Sequence, residues 1–545
     1  MRHYIICIRL LFIMVTLIRS VFLSQPSILE LDKVIADIES TKQKNNEVCD
    51  ETDKIANWNI YCSGPILTAM NLHQVEMDSK TFVDRPLKAD PGRNKKLINF
   101  RNRFFGEPGT ELKGCVIPEW KELPPKIARI KDENLKRFAL FLNQRWKDLC
   151  RQMTRIENPK QNSLIEVPHP FIVPGGRFRE FYYWDAYWIV KGLIASDLLL
   201  TEYQSWHSFR TANLIKLLCI FRIVFPFRFG FVPNGGRIYY LRRSQPPFLT
   251  PMMYEYYEAT GDIEFIKENF NHLVKEYEFW VQNRSISVMD EKGYKHKIYQ
   301  YRTISNVPRP ESFRADIQAA VEVGKNDRQK FFQDIASAAE SGWDFSSRWF
   351  RDRNTMKTIE TTNILPVDLN SLLCWNVNIL KYFANIIGNT QKAEEFEKKG
   401  QEAWKALNAI FYNKLKKAWF DYNFRIKSHN TLFYPTVAMP LFTGCYTMLD
   451  YGKSTKVIDF MNESNVFNYP SGIPASLKNT GQQWDLPNGW PPLQHIIIEG
   501  MRKSDNPEAQ EMAFKLARKW ILANYKIYNT TKKMWEKIDV TGTIP

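Results

Sequence analysis

Apolar positions recur along this chain at helical spacing. Leu135, Phe138, Ala139, Leu142, Trp146, Leu149 and Met153 follow one another at three- and four-residue steps, which places them on one face of a helix. Ala393, Phe396, Ala403, Trp404, Leu407 and Phe411 repeat the pattern, as do Ala509, Met512, Ala513, Leu516, Trp520 and Ala523. Before the last of these, Asn506 can cap the helix and Pro507 suits its first position. Residues 252–280 read as two helices broken at Gly261-Asp262. Short strand-like runs stand between, at 238–241 and 419–424. Strands and helices do not alternate regularly, which argues against a parallel barrel or doubly wound sheet, and no repeat of fixed period is present. The pattern predicts an all-α domain whose long polar, Gly- and Pro-rich loops build the functional site.

The polar pattern changes at the N-terminus. Arg2 and His3 precede a nine-residue apolar run, Leu10 to Ile18, which fits a signal peptide and is too short for a membrane span. The division expected is a signal peptide over about 1–26, a polar, irregular arm over 27–60 and one large domain over 61–545. The next most apolar stretch, Leu214 to Phe229, is interrupted by Lys216, Arg222, Pro226 and Arg228, so no stable membrane span is expected in the mature chain. If Cys7 leaves with the signal, Cys49, Cys62, Cys115, Cys150, Cys219, Cys374 and Cys445 remain. Their odd number leaves at least one thiol free or intermolecular. Their spacing shows no zinc pattern, and Cys49 and Cys62 can pair in an oxidising compartment. Sequons at Asn283, Asn462 and Asn529 fit a secreted glycoprotein.

Composition alters this picture little. The 545 residues carry a formal net charge of +16, but Lys and Arg are interleaved with Asp and Glu, as in 392–399. That describes a solvated basic surface rather than a nucleic-acid partner. The 16 tryptophans fit either a large core or a polar cleft walled with rings.

The candidate chemistry lies in five loop-like stretches dense in Arg, Trp, Asp, Glu, Asn and Gln. They are Pro174 to Asp185, Pro233 to Arg237 with Arg243 to Pro247, Pro308 to Ser312, Glu340 to Trp349, and Gln482 to Pro492. Such side chains offer directional hydrogen bonds to hydroxyls, and tryptophan faces pack on the C–H faces of sugar rings. A site of this kind rejects analogues lacking a hydroxyl, because its own polar groups are then left unpaired. Taken singly, any of these charges could equally be a structural ion pair. P-loop, dinucleotide, G-x-S-x-G and H-E-x-x-H patterns are absent.

The first and fifth stretches resemble the two signature sequences of the trehalase family of inverting glycoside hydrolases, and the other three resemble further motifs of that family. Ile60 to Pro65 and Asp78 to Leu87 are similar to animal trehalases in particular. The resemblance covers roughly residues 50–540. It implies an (α/α)6 toroid, hydrolysis of α,α-trehalose with inversion, and no cofactor or metal. Inversion requires one carboxylic acid to protonate the leaving oxygen and one carboxylate to activate water. By motif position the general acid falls on Asp344 and the general base on Glu536. Substrate contacts fall on Arg177, Trp184, Asp185, Asn234, Arg243, Ser244, Gln245, Arg309, Glu311 and Gly342. Trp343 and Phe345 flank Asp344, and an apolar enclosure would raise its pKa. The chain departs from the family in having Ile538 where tyrosine is usual and in its apolar, basic 214–229 segment. It also ends at Pro545, before a glycine-rich segment with a further substrate-contacting Glu. The toroid is therefore expected to be incomplete at that end. A non-catalytic sugar-binding relative and a phosphorylase on the same toroid are the competing readings.

Overall fold

The computed structural model describes residues 26–40, 49, 58–88, 105–117, 120–154, 161–198, 228–446 and 452–542. The architecture is predominantly helical. The helices that frame the molecule are α1 (Glu133–Leu149), α2 (Asp185–Ala195), α3 (Leu249–Thr260), α4 (Ile263–Asn283), α5 (Arg328–Glu340), α6 (Val367–Ile386), α7 (Thr390–Ala406), α8 (Pro491–Lys503) and α9 (Pro507–Thr531). Neighbours in sequence pack on one another, α6 against α7 and α8 against α9 most extensively, while α3 and α4 also lean on α6. This is the arrangement that amphipathic helices joined by short turns adopt to cover their apolar stripes.

The helix boundaries follow local chemistry. The Asp132 side chain accepts from the amides of Asn134 and Leu135 at the start of α1. Asn506 does the same for Glu508 and Ala509 at the start of α9, with Pro507 just inside. Gly261, at φ +67°, ends α3, and Asp262 caps α4, so the break expected there is present. Met153 does not extend the first helix. The chain turns at Cys150 into a strand pairing Leu112–Gly114 on one side and Phe171–Ile172 on the other.

Two expectations are corrected. The run 238–241 is not a strand: Ile238–Tyr240 form a turn of 3-10 helix. Its amides bond back along the chain, Tyr240 to the Arg237 carbonyl at 3.0 Å and Leu241 to the Ile238 carbonyl at 3.1 Å, rather than to a neighbouring strand, while Tyr239 donates to Asp84 at 2.6 Å and Tyr240 meets the Tyr182 hydroxyl at 3.0 Å. The stretch 27–60 is not irregular throughout, since Ile28–Ser40 is helical. Ser27 and Glu30 cap each other's backbone, and Leu31, Val34 and Ile35 are buried against the main core. Three residues at i, i+3 and i+4 suffice for one buried face. The 419–424 run forms short strands, Ala418–Trp419 and Tyr422–Asn423.

Buried charges organise the loops. Lys80 Nζ lies 2.8 Å from Asp84 and 2.7 Å from Glu180, and Arg237 Nε lies 3.3 Å from Glu180, all four almost wholly buried. Arg348 reaches Asp368 at 2.8 Å and Asp421 at 2.7 Å, between the rings of Trp343 and Trp349. Charges so deep persist only when paired and hydrogen-bonded. For Glu180, Arg237 and Arg348 the structural reading of a motif residue is therefore the correct one. Disulfides join Cys49–Cys62, Cys115–Cys150 and Cys374–Cys445; Cys219 and most of 214–229 lie outside the described residues. Among the described residues no helix is long and apolar enough to cross a membrane.

Candidate active site

The second, third and fourth stretches converge on one cluster of charge. Arg309 is held by Asp316, which accepts from Nη2 at 2.7 Å and from Nε at 2.9 Å. Its Nη1 faces Asp344 Oδ2 at 3.4 Å. Arg243 donates to Glu311. Arg243, Arg309 and Glu311 are buried, whereas the Asp344 side chain keeps 37% of its surface accessible. The one carboxylate of the group that faces open space is thus the predicted acid.

The two carboxyls are driven apart electrostatically. At Asp344 the surrounding protein limits hydration and raises the pKa above its ordinary value, with Arg309 and then Arg243 opposing and Glu311 assisting. At Glu311 burial also disfavours charge, but Arg243 and Arg309 outweigh it and hold the carboxyl below its ordinary value. Opposite shifts of neighbouring carboxyls divide acid from anion within one site.

Around this cluster the loops brace one another. Asn234, buried, donates from its side chain to the Ser244 carbonyl at 3.1 Å. Ser244 donates its hydroxyl to the Val232 carbonyl at 2.6 Å, and its amide reaches Glu340 at 2.9 Å. Gln245 accepts from the Trp184 amide at 3.0 Å. Glu340, fully buried, also receives Arg284 and the Arg302 amide. It thereby ties the second stretch to the end of α5, from which the Asp344 loop departs. Gly342, at φ +78°, lets that loop pass Trp184: a Cβ there would stand 2.9 Å from the indole Cζ2. Trp184 also borders a small, mainly apolar recess with Trp343, Phe248, Leu372 and Met439.

The fifth stretch runs alongside the Asp344 loop. Gln483 donates to the Asp344 carbonyl, and the Trp484 amide donates to the Phe345 carbonyl at 3.0 Å. Trp343, Trp484 and Trp490 form a stack, with centroids 5.3 Å and 3.9 Å apart. Further along, Asn488–Gly489 pairs with Ile538–Asp539, and Lys537 lies 5.1 Å over the Trp490 ring. This pairing brings the segment of Glu536, an exposed residue, to the same strap that holds Asp344.

The structure therefore gathers Trp184, Asn234, Arg243, Ser244, Gln245, Arg309, Glu311, Gly342 and Asp344. Arg177 stands outside the cluster, half exposed and paired with Asp78 at 3.0 Å. Asp185 is half-buried at the first turn of α2, where negative charge is favoured. Sequence reasoning did not single out Asp316, Arg284 or Glu340 as supports. Glu340 lay within a quoted stretch, but Arg284 and Asp316 acquire their meaning only from partners brought up by the fold.

Comparison with known proteins bears on the family and the fold. The family model described as trehalase matches residues 68–544. Human trehalase is 37% identical over 505 residues, covering 89% of this chain and 84% of that protein. Trehalase of Apis mellifera is 37% identical over 508 residues, covering 88% and 79%. The solved structure of neutral trehalase from Saccharomyces cerevisiae superposes with a TM-score of 0.55 at 22% identity, covering 68% of this chain and 70% of that one. That likeness extends to the helical fold; the family model and the sequence matches establish that the chain belongs to the trehalase family.

Proposed function

We propose that the chain hydrolyses α,α-trehalose to two glucose molecules with inversion at one anomeric carbon, on an (α/α)6 toroid. Asp344 is the general acid and Glu536 the general base. The observation that carries this reading is the pairing of opposite shifts at Asp344 and Glu311. One accessible carboxyl has its pKa raised beside a fixed arginine–carboxylate frame. The proton of Asp344 passes to the glycosidic oxygen as the bond breaks, and Glu536 takes a proton from the water that attacks the opposite face. Arg243, Arg309, Asn234, Gln245 and Glu311 supply donors and acceptors for sugar hydroxyls, Trp184 a ring wall and Gly342 the clearance beside it. Arg177, Ser244 and Asp185 complete the contacts once substrate is present.

We further propose that the protein is secreted. The three disulfides and the N-terminal apolar run support an oxidising compartment, and the sequons at Asn283, Asn462 and Asn529 are accessible in the helix ends that carry them.

Glucose release from trehalose tests the assignment, with the anomer first formed followed by NMR. Asp344→Asn and Glu536→Gln should each lower kcat by about 10²–10⁴-fold, the range that general acid and base groups contribute. The parent should release one β-glucose for each α-glucose. A parent that binds trehalose in calorimetry but releases no glucose would instead be a sugar-binding relative. Retention of activity by Glu536→Gln would remove Glu536 from the mechanism.

A further inference from the structure

Asp485 is wholly buried and takes part in neither the arginine–carboxylate frame nor the sugar contacts. Its carboxylate collects five neutral donors. Oδ1 accepts from the hydroxyls of Ser346 at 2.9 Å, Ser347 at 2.8 Å and Ser476 at 2.7 Å. Oδ2 accepts from the Ser347 amide at 2.8 Å and from the Thr480 hydroxyl. Two of these residues, Ser346 and Ser347, follow Asp344 by two and three positions. The other two, Ser476 and Thr480, belong to the turn that leads into the strap.

The connections beyond Asp485 give this clamp its consequence. Residues 482–490 are bonded to the acid loop through Gln483 and Trp484. They are bonded to the Glu536 segment through the Asn488–Gly489 pairing and through the Val540 amide, which donates to the Pro487 carbonyl at 2.9 Å. One strap therefore touches both catalytic segments, and Asp485 is the point at which it grips the first. In an inverting glycosidase the spacing of the two carboxyls is what admits the water, and catalytic groups must be held to a fraction of an ångström by the shell that supports them.

We infer that Asp485 is the positioning residue for the general acid. By binding the Ser346–Ser347 turn and the Ser476–Thr480 turn together, it sets where the Asp344 carboxyl stands relative to the leaving oxygen. The inference rests on the proposed role of Asp344, so the test separates the two.

The probes are trehalose, whose sugar leaving group requires protonation, and α-D-glucopyranosyl fluoride, whose fluoride leaves with little help from an acid. Asp344→Asn serves as the reference and should lose activity on trehalose far more than on the fluoride. Asp485→Ala should follow it, with kcat on trehalose down by about 100-fold and kcat on the fluoride changed by less than about threefold, since acid catalysis is worth at least that much. Asp485→Asn retains one acceptor oxygen while the serine hydroxyls can turn to accept from its amide. It should recover part of the trehalose rate with the same substrate selectivity, and it carries the test if the alanine variant does not fold. Equal losses on both probes in variants that unfold at the parent's Tm, or no loss at all, would overturn the inference. If Asp344→Asn itself showed no selectivity, the acid assignment would fall and this inference with it.

Discussion

Gly342 shows how closely a single residue is constrained beside the acid. Its φ of +78° lies in the left-handed region, and the space where a side chain would grow is taken by the Trp184 ring at 2.9 Å. An L-residue pays about 1–2 kcal/mol in that conformation before any clash. Gly342→Ala should therefore lower stability by at least about 1–2 kcal/mol, measured by denaturant unfolding, and raise KM as Trp184 is displaced. At Asp344 the direction of the pKa shift sets a pH profile. In its proposed role as the acid, Asp344 must be protonated to work, so kcat should fall as pH climbs through its raised pKa. Arg309 holds that pKa down, so Arg309→Lys, which keeps the charge but loses the fork to Asp316, should reduce kcat through positioning while the alkaline limb remains. A kcat–pH profile of the variant checks both.

At the scale of elements, the loops do the chemistry and the helices hold their ends. Glu340 at the last turn of α5 binds Arg284 at the end of α4 and the Ser244 amide, so three elements meet at the root of the acid loop. The Cys374–Cys445 disulfide ties the middle of α6 to the residue after Gly444, across 71 positions of sequence. Replacing both cysteines by serine should cost about 2–4 kcal/mol of stability, by restoring freedom to the unfolded chain. kcat should be unchanged, because neither cysteine belongs to the site. Thermal unfolding with and without reductant gives the first quantity and glucose release the second. Five of the framing helices, α1, α3, α4, α7 and α9, and the break at Gly261-Asp262 were legible in the sequence, because cap residues, glycine and an i, i+3, i+4 pattern act locally; α2, α5, α6 and α8 were not read there. Ile238–Tyr240 was not: three large buried side chains in a row look the same in a strand and in a turn whose rings go to different partners.

For the molecule as a whole, pH acts through groups the site does not use. His495 on α8 sits among the rings of Tyr187, Trp188 and Phe442. Burial, then the nearby Lys191, pushes its pKa down to about 4, with Lys503 adding to the effect and Glu499 and Glu255 opposing it. The unfolded imidazole takes its proton near its ordinary value of about 6.5, so between the two values the unfolded state binds more protons. Stability is then fully present above the ordinary value and is lost as pH falls towards 4. His495→Phe should flatten the fall of Tm between pH 7 and pH 4.5, a change that a pH series of unfolding curves measures directly.

Linear pattern was enough for the helical class, for five of the nine framing helices and for the five stretches from which the site is made. These depend on periodicity, caps and residue chemistry within a few positions of one another. Motif resemblance carried the family and the two carboxyls. Tertiary structure alone decided which charges of those stretches are scaffold and which face open space. Glu180, Arg237 and Arg348 have the same side chains as candidate sugar contacts, yet they are buried in ion pairs with Lys80, Asp84, Glu111, Asp368 and Asp421. The joining of the acid loop to the Glu536 segment also belongs to the fold, since its bonds span intervals over which a linear pattern carries no distance.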